Sequence, residues 1–246
     1  MMRAVDAEHY WIAARFERRE GWDAGSYPFN LPVVRDLNEL VFHPKVTFLV
    51  GENGSGKSTL IEALAVAWGF NAEGGSINFN FGTRPSHSDL HGFVRPIRSA
   101  RRAQDGFFLR AESHFNVATE VENLGATASY GGVSLHEQSH GESFFALIDN
   151  RFRGRGLYIM DEPEAALSPN RQLNFLARMH ELVGQKSQFI IATHSPIILG
   201  YPDAWIYQTT PKGLERVDYE DTDHFQVTRN FLNHRPVFLD TLLAED

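Results

Sequence analysis

Two short apolar runs mark the second half of the chain, "GLYIM" at 156–160 and "QFIIAT" at 188–193, each bounded by polar residues. Runs of that length without alternation predict strands covered on both faces, as in a parallel sheet. Between them Leu173, Leu176, Met179 and Val183 recur at helical spacing, so the stretch predicts a strand, helix, strand crossover of right-handed sense. "VTFLV" at 46–50 is a third apolar run, and the glycine-rich stretch after it enters a predicted helix over 57–68. From residue 10 to about 50, alternating segments broken by Gly25, Pro28, Pro32 and Pro44 predict short strands and turns, an antiparallel edge feeding the parallel core. Residues 71–106, rich in Gly, Ser, Asn, His and Arg, show little periodicity and predict an irregular excursion. A strand pattern returns in "GFFLRAESHF", and 117–138 reads as a small helical or mixed insert. "AWIYQTT" and "LERVDY" flank "PKG" as a hairpin, and Thr222 is placed to cap a last helix carrying Phe225, Phe231 and Leu232. The whole predicts a single α/β domain over 1–246: an antiparallel edge sheet, a central mainly parallel sheet flanked by helices, and a small helical insert around 113–150.

A chain of 246 residues can bury a sizeable core without disulfides, and with no cysteine it has none, nor a thiolate metal site or a cysteine nucleophile. That fits a cytoplasmic protein. The first 22 residues carry scattered charges, and no uncharged apolar stretch reaches the length of a membrane span, so neither export nor membrane insertion is expected. The net charge of −8 argues against a broad electrostatic footprint for nucleic acid. Arg98, Arg101 and Arg102 form one local basic cluster, open to two readings, a solvated loop or a nucleic-acid groove.

"GENGSGKST" at 51–59 changes the picture from fold to chemistry. Gly51, Gly56, Lys57 and Ser58 satisfy the phosphate-loop pattern G-x-x-x-x-G-K-[S/T], set between a strand and a helix as that pattern requires. Backbone N–H groups of Asn53, Gly54, Ser55, Gly56 and Thr59, with the positive end of the helix dipole, suit phosphate oxygens. Lys57 is expected to reach the β- and γ-phosphates, and the Ser58 hydroxyl to ligate Mg²⁺. Asp161 and Glu162 follow the apolar run at 156–160, and ligands of open α/β sheets bind at the carboxyl ends of strands. Asp161 is therefore expected to hold Mg²⁺ and Glu162 to orient or deprotonate the attacking water. His194, in "ATHSP" after the next strand, is expected to meet the γ-phosphate or the attacking water, as a γ-phosphate sensor.

The set "GENGSGKST", "QSHGES", "YIMDEPEAALSP" and "IIATHSP", in this order, resembles the ATP-binding-cassette ATPases. The resemblance is to their soluble branch, with the chromosome-maintenance, recombination-repair and overcoming-lysogenization-defect ATPases, often labelled AAA-family ATPases. It implies a P-loop NTPase fold, with ATP and Mg²⁺ bound at two sites sandwiched between two copies of the chain. It also implies that "SHGES" is the signature segment within the small subdomain, with Ser139, Gly141 and Glu142 facing the partner's γ-phosphate, although His140 stands where a glycine is usual and Glu142 where glutamine is common. "EAALSPNRQ" is similar to the loop crossing the dimer seam, and His194 to the switch histidine. The lid glutamine has no counterpart: Glu112 occupies the matching position as a candidate Mg²⁺ contact, and Gln104 lies before that strand. Phe16 and Phe42 are candidates for stacking on adenine, with a core role as the alternative. Functional classes consistent with the resemblance are a DNA-repair or phage-defence ATPase acting through a separate effector protein, a transporter subunit, and a nucleotide switch or scaffold with negligible hydrolysis.

Overall fold

The computed structural model describes residues 9–76, 88–110, 118–119, 122, 125, 134–137 and 139–244. Among the described residues the larger sheet has seven strands, in the order β10 (Gly213–Val217), β9 (Ala204–Thr210), β3 (Val46–Val50), β8 (Gln188–Ala192), β7 (Gly156–Asp161), β6 (Asp105–Arg110) and β4 (Gly75–Ser76). The five central strands β9 (Ala204–Thr210), β3 (Val46–Val50), β8 (Gln188–Ala192), β7 (Gly156–Asp161) and β6 (Asp105–Arg110) run parallel. The edge strands β10 (Gly213–Val217) and β4 (Gly75–Ser76) run antiparallel to their neighbours. Every residue of β3, β7 and β8 is buried, which is why these runs show no alternation. Successive residues nevertheless divide between two cores, as the period of two demands.

On one face Val46, Phe48, Val50, Tyr158, Met160, Phe189 and Ile191 meet α2 (His140–Arg151) through Phe144 and Leu147, and α3 (Pro169–Gly184) through Phe175, Met179 and Leu182. On the other, Leu49, Leu157, Ile159 and Ile190 meet Leu60, Ile61 and Leu64 of α1 (Lys57–Trp68). The same core includes Trp11, Ala14, Phe16 and Leu40 from a second sheet built of β2 (Glu39–Val41), β1 (Trp11–Phe16) and β5 (Val94–Arg98) in that order, together with Phe42 just after β2. The antiparallel strands therefore form a layer of their own across α1, with Trp11 stacked on Trp68 at 5.0 Å, and do not extend the edge of the parallel sheet. The expected irregular excursion over 71–106 is corrected in part: it contains β4, β5 and a 3₁₀ turn at Asp89–Phe93. "VRPIR" escaped notice because its burial alternates weakly and its partner β1 lies some 80 residues away. The hairpin β9–β10 and a helix α5 (Asp223–Asn233) capped by Thr222 match the expectation. Two short helices, α4 (Pro196–Leu199) and α6 (Arg235–Leu242), were not read from the sequence. No described helix is long and apolar enough to cross a membrane.

One buried amide ties the two sheets together. Gln188, at the start of β8, accepts from the backbone N–H groups of Tyr10 (3.0 Å) and Trp11 (2.9 Å) and donates to the carbonyls of Trp11 (2.9 Å) and His43 (3.0 Å). Burial of an amide is unfavourable unless its hydrogen bonds are made, and here all four are. Gln188→Leu keeps the volume and leaves four backbone groups unpaired, so it is expected to destabilise the fold by about 3–5 kcal/mol. Denaturant unfolding checks this: the midpoint should fall with the slope unchanged.

Candidate active site

β3 ends at Val50 and the chain turns through 51–56 into α1. Gly56 is required twice over. Its φ of 96° lies in the left-handed region, and a Cβ there would come within 2.9 Å of Leu31 Cδ1 and 3.0 Å of Val33 Cγ2. Lys57 is buried, and its Nζ donates to the carbonyls of Gly51 (2.7 Å) and Glu52 (3.0 Å), leaving one donor for a ligand. Burial lowers its pKa from the usual lysine value, opposed by Glu162, Asp161, Glu52 and Glu164. Asn53, Gly54, Gly56, Lys57, Ser58 and Thr59 line one cavity of about 490 Å³, joined by Glu162 and by Tyr27 and Leu31. Ser55 is not part of that lining; its buried hydroxyl has no hydrogen-bond partner among the described residues.

Asp161 is the last residue of β7, and its Oδ1 accepts from Ser58 Oγ at 3.2 Å across 103 residues of sequence. Glu162 leaves the strand with φ 52° and ψ 54°, a left-handed conformation that costs a non-glycine residue about 1–3 kcal/mol. The bond from Glu162 N to Ala192 O (2.9 Å) anchors the turn there, and the carboxylate lines the cavity. Two residues on, Glu164 accepts from Thr193 Oγ1 (2.7 Å) and from His194 N (2.5 Å), clamping the end of β8 to the acidic turn. Burial raises the Glu164 pKa, opposed by those two bonds. The sequence reading gave Glu164 no role, because nothing local links "EPE" to "ATH" about thirty residues later.

His194 points Nε2 toward Glu162 Oε1 at 3.4 Å, and among the described residues that nitrogen has no other polar partner. Its Nδ1 lies 3.0 Å from Nε2 of His224, at the start of α5. Burial and then the Lys57 ammonium lower the His194 pKa, with Glu162 opposing. His224 was likewise missed from sequence.

The structure thus gathers Asn53, Gly54, Gly56, Lys57, Ser58, Thr59, Asp161, Glu162 and His194 around the phosphate loop. It does not bring Ser139, Gly141 and Glu142 there. Ser139 caps α2, with the Glu142 carboxylate accepting from its N–H (3.0 Å) and hydroxyl (2.5 Å), and these bonds lower the Glu142 pKa. Gly141 is packed against Arg171 and the carbonyl of Ala166, where a Cβ would lie 2.8 Å from the guanidinium. Glu112 lies outside the described residues, as does most of the predicted 117–138 insert. Phe16 and Phe42 are buried in the core behind α1 and are closed to a base. Tyr27, 64% exposed on the cavity rim with its hydroxyl 3.4 Å from Thr59 Oγ1, is the aromatic that the sequence reading overlooked in "YPFNLP". Arg98 stacks on Trp68 and donates to its carbonyl (2.7 Å), so it is taken up by packing. Gln104 lines a different cleft, with Arg153, Arg155 and Lys186, at the starts of the parallel strands.

An AAA-domain family model matches residues 25–118, which contain the phosphate loop. A second, described as "AAA domain, putative AbiEii toxin, Type IV TA system", matches 127–200, which contain Ser139, Asp161, Glu162 and His194. The chain is thus an ATPase, with AAA-domain matches on both sides of its site. Among solved structures, it is similar to cbiO1 from Clostridium perfringens, part of the ABC transporter complex cbiONQ. The identity is 16%, with 93% of this chain and 98% of that one covered and a TM-score of 0.51. It also matches the SMC head domain from Thermotoga maritima at 18% identity, with 73% and 93% of the chains covered and a TM-score of 0.42. No curated protein matches the chain.

An AAA-domain ATPase implies a bound nucleotide, with Mg²⁺ typical. The residues fit both. Ser55 offers an unused buried hydroxyl beside the loop, and Lys57 retains a donor. Ser58 and Asp161 bring two hard oxygens together, the small donor set with which a protein holds Mg²⁺ when phosphates and water complete the shell. Among the described residues no group of three or more His, Asp or Glu forms a metal cage made of protein alone.

Proposed function

We propose that two copies of the chain hydrolyse ATP at two shared sites, and that closing and opening of this dimer drives a separate effector protein in DNA repair or phage defence. Lys57 and the loop amides bind the phosphates, and the exposed ring of Tyr27 stacks on the base. Ser58 and Asp161 hold Mg²⁺, which offsets the charge of the β- and γ-phosphates. Glu162 takes the proton of the attacking water, and His194 presents Nε2 to the γ-phosphate. The observation that carries the shared site is the separation of the α2 start from its own chain's cavity. A helix N-terminus with exposed Ser139 and a close-packed Gly141 suits an anion, yet neither residue lines the cavity in which that anion would lie.

Mixing two inactive variants tests this. Lys57→Ala loses the phosphate loop, while Ser139→Arg places a bulky cation at the α2 start and should block closure, so each homodimer is expected to be inactive. In a mixed dimer one site has both lesions and the other has none. Random mixing makes half the dimers mixed, so up to roughly a quarter of parental phosphate release should return if the sites act independently. Full activity of Ser139→Arg alone would reduce "SHGES" to a helix cap and leave the phosphate loop serving a single-chain site.

A further inference from the structure

The His194–His224 contact lies beside the phosphate loop and has no part in the chemistry described so far. His224 is brought there by a specific anchor. Asp223, the first residue of α5, pairs with Gln208 of β9 through two bonds, Gln208 Nε2 to Asp223 Oδ2 (2.9 Å) and Asp223 N to Gln208 Oε1 (3.0 Å). Gln208 stands opposite Val50, the residue before the phosphate loop. Thr222 Oγ1 accepts from Phe225 N (3.3 Å) and closes the helix start. The first turn of α5 is thus fixed to the strand beside β3, and His224 projects from it to within 3.0 Å of His194 Nδ1.

Two imidazoles joined nitrogen to nitrogen share one proton, and each neutral ring carries one N–H. Burial, followed by the nearby Lys57 ammonium, lowers the pKa of both, which keeps the pair neutral near pH 7. Two arrangements remain. If His194 donates from Nδ1, its Nε2 turns a bare lone pair toward the Glu162 carboxylate 3.4 Å away, and His224 is left with a buried N–H at Nδ1 that has no acceptor among the described residues. If His224 donates from Nε2, the proton of His194 lies on Nε2 and faces Glu162, and the unpaired group is only an acceptor, His224 Nδ1. Buried donors without partners are the rarer and costlier case, and a lone pair against a carboxylate is repulsive. The second arrangement therefore prevails.

We propose that His224 is a positioning residue for ATP hydrolysis: its Nε2–H, donated to His194 Nδ1, holds His194 in the tautomer whose Nε2–H is turned to the γ-phosphate. This rests on the reading of His194 as the γ-phosphate contact. With the opposite tautomer His194 would offer a lone pair to an anion, and hydrolysis would lose a donor where charge accumulates. A ring nitrogen that fixes the proton on its partner through a hydrogen bond to the other nitrogen is a recurrent device of histidine sites. Here the device also links α5 to the reacting end of the nucleotide.

The test compares His224→Ala, His224→Gln, His194→Ala and the double alanine variant of the full chain by steady-state phosphate release with ATP. Gln Nε2 can take the place of the imidazole Nε2–H. His224→Ala should lower kcat by about tenfold or more with KM within about twofold, and His224→Gln should recover most of it. The double variant should be no slower than His194→Ala alone, because His224 acts through His194. Imidazole ¹⁵N spectra should place the His194 proton on Nε2 in the parent and in His224→Gln, and on a mixture of nitrogens in His224→Ala. Three results would overturn the inference: a parental spectrum with the proton on Nδ1, a double variant slowed by the product of the single effects, or full kcat in His224→Ala when His194→Ala is impaired. Full activity of His194→Ala would instead remove the γ-phosphate role of His194, a failure the spectrum distinguishes from that of the tautomer assignment.

Discussion

Lys57→Ala is expected to abolish steady-state ATP hydrolysis and to weaken ATP binding by about ten- to a hundredfold. The ammonium is buried and lies in the field of Glu162, Asp161, Glu52 and Glu164, all of which stabilise its charge. Without it the phosphates of ATP enter a cavity whose formal charges are carboxylates, and one charge-assisted contact is lost. Hydrogen bonds to charged groups contribute about 1.5–3 kcal/mol, which sets the binding loss. Turnover falls further, by about a thousandfold or more, since removal of one preorganised donor from developing charge alone costs about two to three orders of magnitude. The carbonyls of Gly51 and Glu52 also lose the donor that closes the loop, so unfolding curves without nucleotide should accompany the binding titration and separate a lost contact from a loosened loop. Undiminished hydrolysis would remove the phosphate loop from the chemistry altogether.

Glu162→Gln is expected to lower kcat by at least about a hundredfold while ATP binding is retained, the usual scale for losing a general base. The substitution is nearly isosteric, and the backbone bond from Glu162 N to Ala192 O stays as it is. What disappears is the proton acceptor facing the cavity, 3.4 Å from His194 Nε2. Binding and cleavage separate because the loop amides and Lys57 hold the phosphates without the carboxylate. In the dimer reading this variant accumulates as an ATP-bound pair, so size-exclusion chromatography with ATP should show a shift to twice the mass that the parent shows only transiently. A turnover near the parental value would make Glu162 a structural turn residue and transfer the base to another group.

Much of the site was legible because its signals are local. The strand, glycine turn and helix around Lys57 are one contiguous segment whose backbone conformations demand glycine at Gly56, and the turn lies where the pattern put it. Asp161, Glu162 and His194 were found because strands buried on both faces leave an unalternated apolar run, and the residue after such a run lies at the strand's carboxyl end. What the pattern failed to reveal lies in pairs. Glu164 with Thr193 and His194, His194 with His224, and Asp223 with Gln208 each join residues 15 to 30 positions apart. Gln188 reaches across more than 140 residues to β1 and the turn before β3. β5 alternates so weakly that only its pairing with β1 marks it as a strand.

By itself the sequence determined the phosphate loop, the parallel strands on either side of it and the acidic and histidine residues at their ends, since periodicity and turn chemistry are properties of consecutive residues. The tertiary structure alone decided that the antiparallel strands form a separate layer over α1, that Phe16 and Phe42 belong to the core while Tyr27 stands at the cavity rim, and that His194 has an imidazole partner. The physical reason is one of range: hydrophobic burial is averaged along an element and leaves its period in the chain, whereas a hydrogen bond is set within a few tenths of an ångström by elements distant in sequence, and leaves no period at all.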